Sequence, residues 1–180
     1  MTPVGRALNT VALLLPLLLS SCGSDQPDTD AGASESKSEQ SGENQDRAPG
    51  FKLKDLNGES VEFADYEGKL LLVDFWATWC GPCRRSIPHL VSLYQEYHEQ
   101  GFEVVGISLD RSGPQRVRDF AEKMSIPYKI ALGSREDAES WNTGPSIPVA
   151  FLVDRSGTIV NKFIGYQRKS VLDEEIRKYL

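Results

Sequence analysis

Residues 69–77, KLLLVDFWA, are apolar at nearly every position and lack the alternation of a strand with one wet face. A run of this kind is a strand covered on both sides, as found in sheets flanked by helices. Asp74 breaks the run. A carboxyl in that setting is expected to be neutral or hydrogen-bonded with a raised pKa, because an unpaired buried charge is costly. The run ends just before Trp79-Cys80-Gly81-Pro82-Cys83, and beyond Pro82 the residues Leu90, Leu93, Tyr94 and Tyr97 recur at helical spacing as far as a stop at Gly101. Pro88 is expected to kink that helix.

The remaining pattern alternates strand and helix. Residues 51–53 and 61–63 flank Asn57-Gly58 and predict a hairpin ahead of the main core. Strands are predicted over 102–109, 128–131, 149–153 and 158–164, and helices over 114–123 and 135–141. Ser170 with Asp173 is read as the cap of a last helix running to Leu180. The fold class is α/β, with a mixed central sheet, helices on both faces and an N-terminal β-hairpin.

The chemistry lies where the buried strand gives way to the helix. Unpaired amides and the positive end of the helix dipole stabilise a thiolate at Cys80, lowering its pKa from about 8.5. The two-residue spacer sets Cys83 one turn in, within reach of a mixed disulfide formed by Cys80. A nucleophilic thiol paired with a resolving thiol is what disulfide exchange requires. Arg84 and Arg85 add positive charge or are simply solvated. Three other uses of the pair compete. Zinc would want two further ligands, for which the chain offers only Cys22, His89 and His98. A structural disulfide across so short a loop constrains the unfolded chain little. Haem attachment would want histidine where Arg84 stands. Neither a metal nor a cofactor is expected, and the sequence has no phosphate-cradling glycine loop.

Ahead of the domain the composition changes. Residues 1–21 carry one base, Arg6, then an apolar run over 11–19 interrupted by Pro16, then Ser20 and Ser21. That order is a secretory signal, and the run is shorter than the roughly 20 residues a spanning helix needs. Leu19-Ser20-Ser21-Cys22 resembles the bacterial lipobox, which implies lipidation of Cys22 and a stable hold on a membrane through more than one acyl chain. Residues 23–50 contain no Val, Ile, Leu, Met or aromatic, and seven acids stand against two bases. Such a segment is expected to be a disordered tether, so that 22–50 link the lipid to a domain over 51–180. The whole chain carries a formal charge of −6, which argues against nucleic acid as a partner.

Across 51–180 these residues resemble the thioredoxin superfamily. Val73-Asp74-Phe75-Trp76-Ala77 with Trp79-Cys80-Gly81-Pro82-Cys83 is similar to its active-site strand and loop, and Ser146-Ile147-Pro148 is similar to its cis-proline loop. The leading hairpin, the anchor and Phe151-Leu152-Val153-Asp154 with Gly157 are closer to the exported subgroup containing the TlpA and ResA proteins. The resemblance implies a cis Pro148 against the cysteines, with Trp79 and the Ile147 backbone meeting an extended substrate segment. It also implies that Asp74 takes the proton of Cys83. Subgroup members that serve cytochrome c maturation often carry Glu three residues past the second cysteine, where this chain has Ser86, so general disulfide reduction is the stronger expectation.

The expected activity is thus membrane-anchored, extracytoplasmic reduction of disulfides in exported proteins by the Cys80/Cys83 dithiol, in a bacterial cell envelope, with electrons from a membrane thiol donor. An oxidase or isomerase differs from this only in potential. A peroxiredoxin-like peroxidase is suggested by Thr78 two residues before Cys80. A non-catalytic lipoprotein binding module would not need the thiols at all.

Overall fold

The computed structural model describes residues 46–180. Their elements run in the order β1 (Lys52–Asp55), β2 (Ser60–Glu62), β3 (Leu70–Trp76), α1 (Gly81–Tyr97), β4 (Phe102–Ser108), α2 (Pro114–Lys123), β5 (Lys129–Leu132), α3 (Arg135–Ser140), β6 (Val149–Val153), β7 (Ile159–Ile164) and α4 (Lys169–Arg177). The seven strands make one mixed sheet in the order β2-β1-β5-β4-β3-β6-β7. β3 lies near its centre, parallel to β4 and antiparallel to β6, and every one of its seven residues is buried.

Alternation along β3 sorts the core into two faces. Leu71, Val73 and Phe75 pack with Ala138 of α3, Trp141 and Phe151, and Phe51, Phe63 and Tyr66 close over this cluster. Leu70 and Leu72 face Leu90 and Leu93 of α1 and Leu172 and Ile176 of α4. Trp76, on that same side, packs with Cys80, Cys83 and Ile87 and with Val117 and Ala121 of α2. Helices therefore cover both faces of a thioredoxin-like mixed sheet.

Local chemistry explains the element ends. In the first hairpin the Asp55 carboxylate accepts the amides of Asn57 (2.8 Å) and Glu59 (3.0 Å), and Gly58 takes φ 85°. This hairpin belongs to the main sheet, because β1 pairs antiparallel with β5, an edge that periodicity does not reveal. α1 continues unbroken across Pro88, and a 3-10 turn over His98–Gln100 carries it to Gly101 at φ 90°.

Two expectations are corrected. The last helix starts at Lys169, before Ser170, with Arg168 as its N-cap and no side-chain cap. Asp173 is occupied elsewhere: it accepts the Tyr97 hydroxyl at 2.6 Å and Arg177 Nε at 3.1 Å. Residues 46–50, read above as the end of the tether, are bonded to the domain. Arg47 bridges to Thr158, the Ala48 amide donates to Gly157 O at 3.0 Å, and Trp141 Nε1 donates to Gly50 O at 3.0 Å. Residues 46–50, Asp-Arg-Ala-Pro-Gly, offer no large apolar side chain, yet their backbone finds partners on the β6–β7 turn and on Trp141. Cys22 and the leader before it lie outside the described residues.

Candidate active site

β3 ends at Trp76, and the loop from Ala77 leads to Cys80 at the head of α1, with Cys83 in the first turn of the helix. Cys80 is the N-cap of α1, with extended backbone, while Gly81 and Pro82 begin the helix. Its sulfur accepts the Cys83 amide at 3.2 Å, so one of the helix's unpaired N–H groups points straight at it. Cys80 and Cys83 are joined as a disulfide with Cα atoms 5.2 Å apart. Both are largely covered, at 5% and 1% exposure, whereas Trp79 beside them is 63% exposed.

The other expected residues converge here from distant segments. The Ile147–Pro148 peptide bond is cis, and the Ile147 carbonyl oxygen lies 3.7 Å from Cys80 Sγ. The Gly165 amide donates to Pro148 O at 2.8 Å, which ties this loop to the end of β7. A groove of about 1210 Å³ opens beside it, with Trp79 and Ile147 on its wall.

Asp74 is 3% exposed on β3, between Gly106 of β4 and Ala150 of β6. Its position in the alternation turns it to the side that carries α1, whose first turn holds Cys83. Burial alone pushes its carboxyl up to about 7. Neighbouring Tyr128 is pushed well above the usual phenol range by burial and then by the charge of Asp74. Gly106 is required where it stands, since a Cβ there would lie 2.9 Å from Trp76 Nε1.

Residues not foreseen from the sequence also reach the site. Asp110, two residues past β4, accepts the Thr78 amide at 2.7 Å on Oδ2 and the Thr78 hydroxyl at 2.6 Å on Oδ1. Arg116 of α2 donates from Nε to the same hydroxyl at 3.0 Å. The Thr78 hydroxyl is thus bound to Asp110 and Arg116, not held free for a peroxide at Cys80. The only sequence hint of this contact was Asp110 in the turn after an apolar strand, which is ordinary loop chemistry. Among the described residues no three His, Cys, Asp or Glu side chains cluster to hold a metal ion.

Residues 45–162 match the AhpC/TSA family. The chain belongs to that family. It is 33% identical over 132 residues to the thiol-disulfide oxidoreductase ResA of Bacillus cereus, covering 73% of this chain and 75% of that one. A putative thiol:disulfide interchange protein DsbE from Chlorobium tepidum superposes with a TM-score of 0.68 at 29% identity, covering 74% of this chain and 95% of the other. StoA from Bacillus subtilis gives 0.60 at 26% identity, over 71% and 97%. Fold, family and the Cys80–Cys83 pair agree, and the chain is a thioredoxin-like thiol-disulfide oxidoreductase.

Proposed function

We propose that this oxidoreductase works as a reductant of disulfides in exported proteins. The observation that carries the reading is Cys80 at the N-cap of α1, its sulfur on the Cys83 amide and flanked by exposed Trp79 and the Ile147 carbonyl. In the dithiol form that amide and the helix dipole favour a Cys80 thiolate. The thiolate attacks one sulfur of a substrate cystine, and the other sulfur leaves as a thiolate that takes a proton from water. Cys83 then attacks Cys80, its proton passes to the Asp74 carboxylate, and the second substrate sulfur leaves as a thiolate that is protonated in turn. Two electrons have moved, the substrate holds two thiols, and Cys80–Cys83 is the disulfide. Asp74 suits the proton step because a carboxyl with a pKa of about 7 exists in both forms near neutrality. Trp79 and the Ile147 backbone, held by Pro148, are the contacts for an extended substrate segment.

The dithiol is regenerated by a membrane thiol donor, and the domain is fixed to a bacterial envelope membrane through lipid on Cys22. Supporting this is the lipobox-like Leu19-Ser20-Ser21-Cys22.

The test is the reduction potential of the full chain in dithiothreitol and glutathione buffers, read from Trp76 and Trp79 fluorescence. A value at or below about −230 mV is expected, while one near about −120 mV would make the protein an oxidant. Cys80→Ser should abolish exchange, and exchange that survives it would show that Cys80 is not the attacking thiol.

A further inference from the structure

We infer that Asp110 is a positioning residue for Cys80, acting through Thr78 as a clasp on the active-site loop. The inference rests on the reading of Cys80 as the attacking thiol. Ala77 and Cys80 of the loop between β3 and α1 sit in the core, but few polar contacts hold it. Trp79 is 63% exposed and contributes no core packing, and the Cys80 amide reaches only back to Ala77 O at 3.1 Å. Thr78 is its one buried polar side chain, at 6% exposure, and both of its donors go to the Asp110 carboxylate. That carboxylate is fixed in turn: the Ser108 hydroxyl, wholly buried on β4, donates to Oδ2 at 3.0 Å. The sheet thus grips the loop two residues before Cys80, through the strand parallel to the one that leads into it.

A bare negative charge near Cys80 would raise its pKa. Arg116 of α2, donating to the same Thr78 hydroxyl at 3.0 Å, brings a positive charge to the clasp. Other charged groups around the site are Asp74 beneath it, Arg84 and Arg85 on α1, and Arg111, Arg135, Glu136 and Glu139 on the groove wall. All are present in the variants below and cancel in the comparison. What the clasp secures is the alignment of Cys80 Sγ with the Cys83 amide at 3.2 Å. When the loop slackens, the thiolate loses that donor.

Two roles for Asp110 therefore predict opposite signs. As a clasp, its replacement raises the pKa of Cys80; as a mere nearby charge, its replacement lowers it. The experiment uses the reduced full chain as wild type, Asp110→Asn, Thr78→Val and Thr78→Ser. Alkylation of Cys80 by iodoacetamide is followed by mass spectrometry between pH 5 and 9, with thermal unfolding measured alongside. In Asp110→Asn and Thr78→Val the midpoint should rise by about half a pH unit or more, and the rate at pH 7 should fall about twofold to threefold. Thr78→Ser keeps the hydroxyl and should follow the wild type. An unchanged midpoint in both, even with lowered thermal stability, leaves only a structural role and overturns the inference, as does a lowered midpoint in Asp110→Asn. Should Asp110→Asn not fold, the Thr78 pair decides alone. A wild type unable to exchange with a protein disulfide removes the oxidoreductase reading itself, whereas an active wild type with indistinguishable variants removes only the clasp.

Discussion

Replacing Asp74 by Asn tests the buried carboxyl without touching the cysteines. In the folded protein Asp74 keeps its proton up to about pH 7, against 3.8 when exposed. Between those values the native state holds a proton that the unfolded chain has released, so stability falls as pH rises. The loss runs at about 1.4 kcal/mol per pH unit and levels off once the folded-state value is passed. From pH 5 to pH 8 the wild type should therefore lose about 3 kcal/mol that Asp74→Asn keeps, since the amide does not titrate. The assay is urea unfolding of both oxidised full-length proteins at half-unit intervals from pH 5 to 9. In that form the cysteines are disulfide-bonded and do not titrate. Every other ionisable group is common to both proteins, so the difference isolates Asp74. It should grow with pH in favour of the variant. Two curves that stay parallel across the range would refute the reasoning, because they would mean that Asp74 ionises inside the fold at no cost.

Two further outcomes follow from particular contacts. Trp79→Ala removes a side chain that is 63% exposed, so stability should change by less than about 0.5 kcal/mol. Exchange with a protein disulfide such as insulin should slow by about fivefold or more, while reduction of Cys80–Cys83 by dithiothreitol stays unchanged. Trp141→Phe deletes the donor to Gly50 O, at 3.0 Å in the wild type, and should cost about 1 kcal/mol in urea unfolding. The same variant should be cut faster by protease near Pro49, and unchanged cleavage would show that Trp141 does not hold that segment down.

The parts of the site that lie within a few residues of one another were readable from the chain. The apolar run into Trp79-Cys80-Gly81-Pro82-Cys83 sets strand, loop and helix in a single stretch, and Pro114 and Pro148 mark where α2 and β6 begin, whereas Pro88 lies inside α1 without ending it. What stayed hidden depends on partners far along the sequence. The Thr78–Asp110 contact spans 32 residues and the Thr78–Arg116 contact 38, and no periodicity marks either. The β1–β5 pairing likewise joins segments that nothing local distinguishes from two free edges. Ser170 and Asp173 resemble a helix cap, but the hydroxyl of Tyr97 competes for Asp173 and prevails. Composition misplaced residues 46–50 for a similar reason: a lack of large apolar side chains says little about a backbone that has amides and carbonyls to bond with.

The bridge between Arg47 and Thr158 also fixes where the chain enters the described domain. β6 begins beside Pro148, next to Cys80, and the turn that follows its last residue, Val153, receives Arg47 at the opposite end of the sheet. Everything before Asp46 is therefore joined to the foot of the domain, a strand's length or about 20 Å from the disulfide. The entry of the chain and the groove that Trp79 and Ile147 line are thus set at opposite ends of β6, and neither crowds the other.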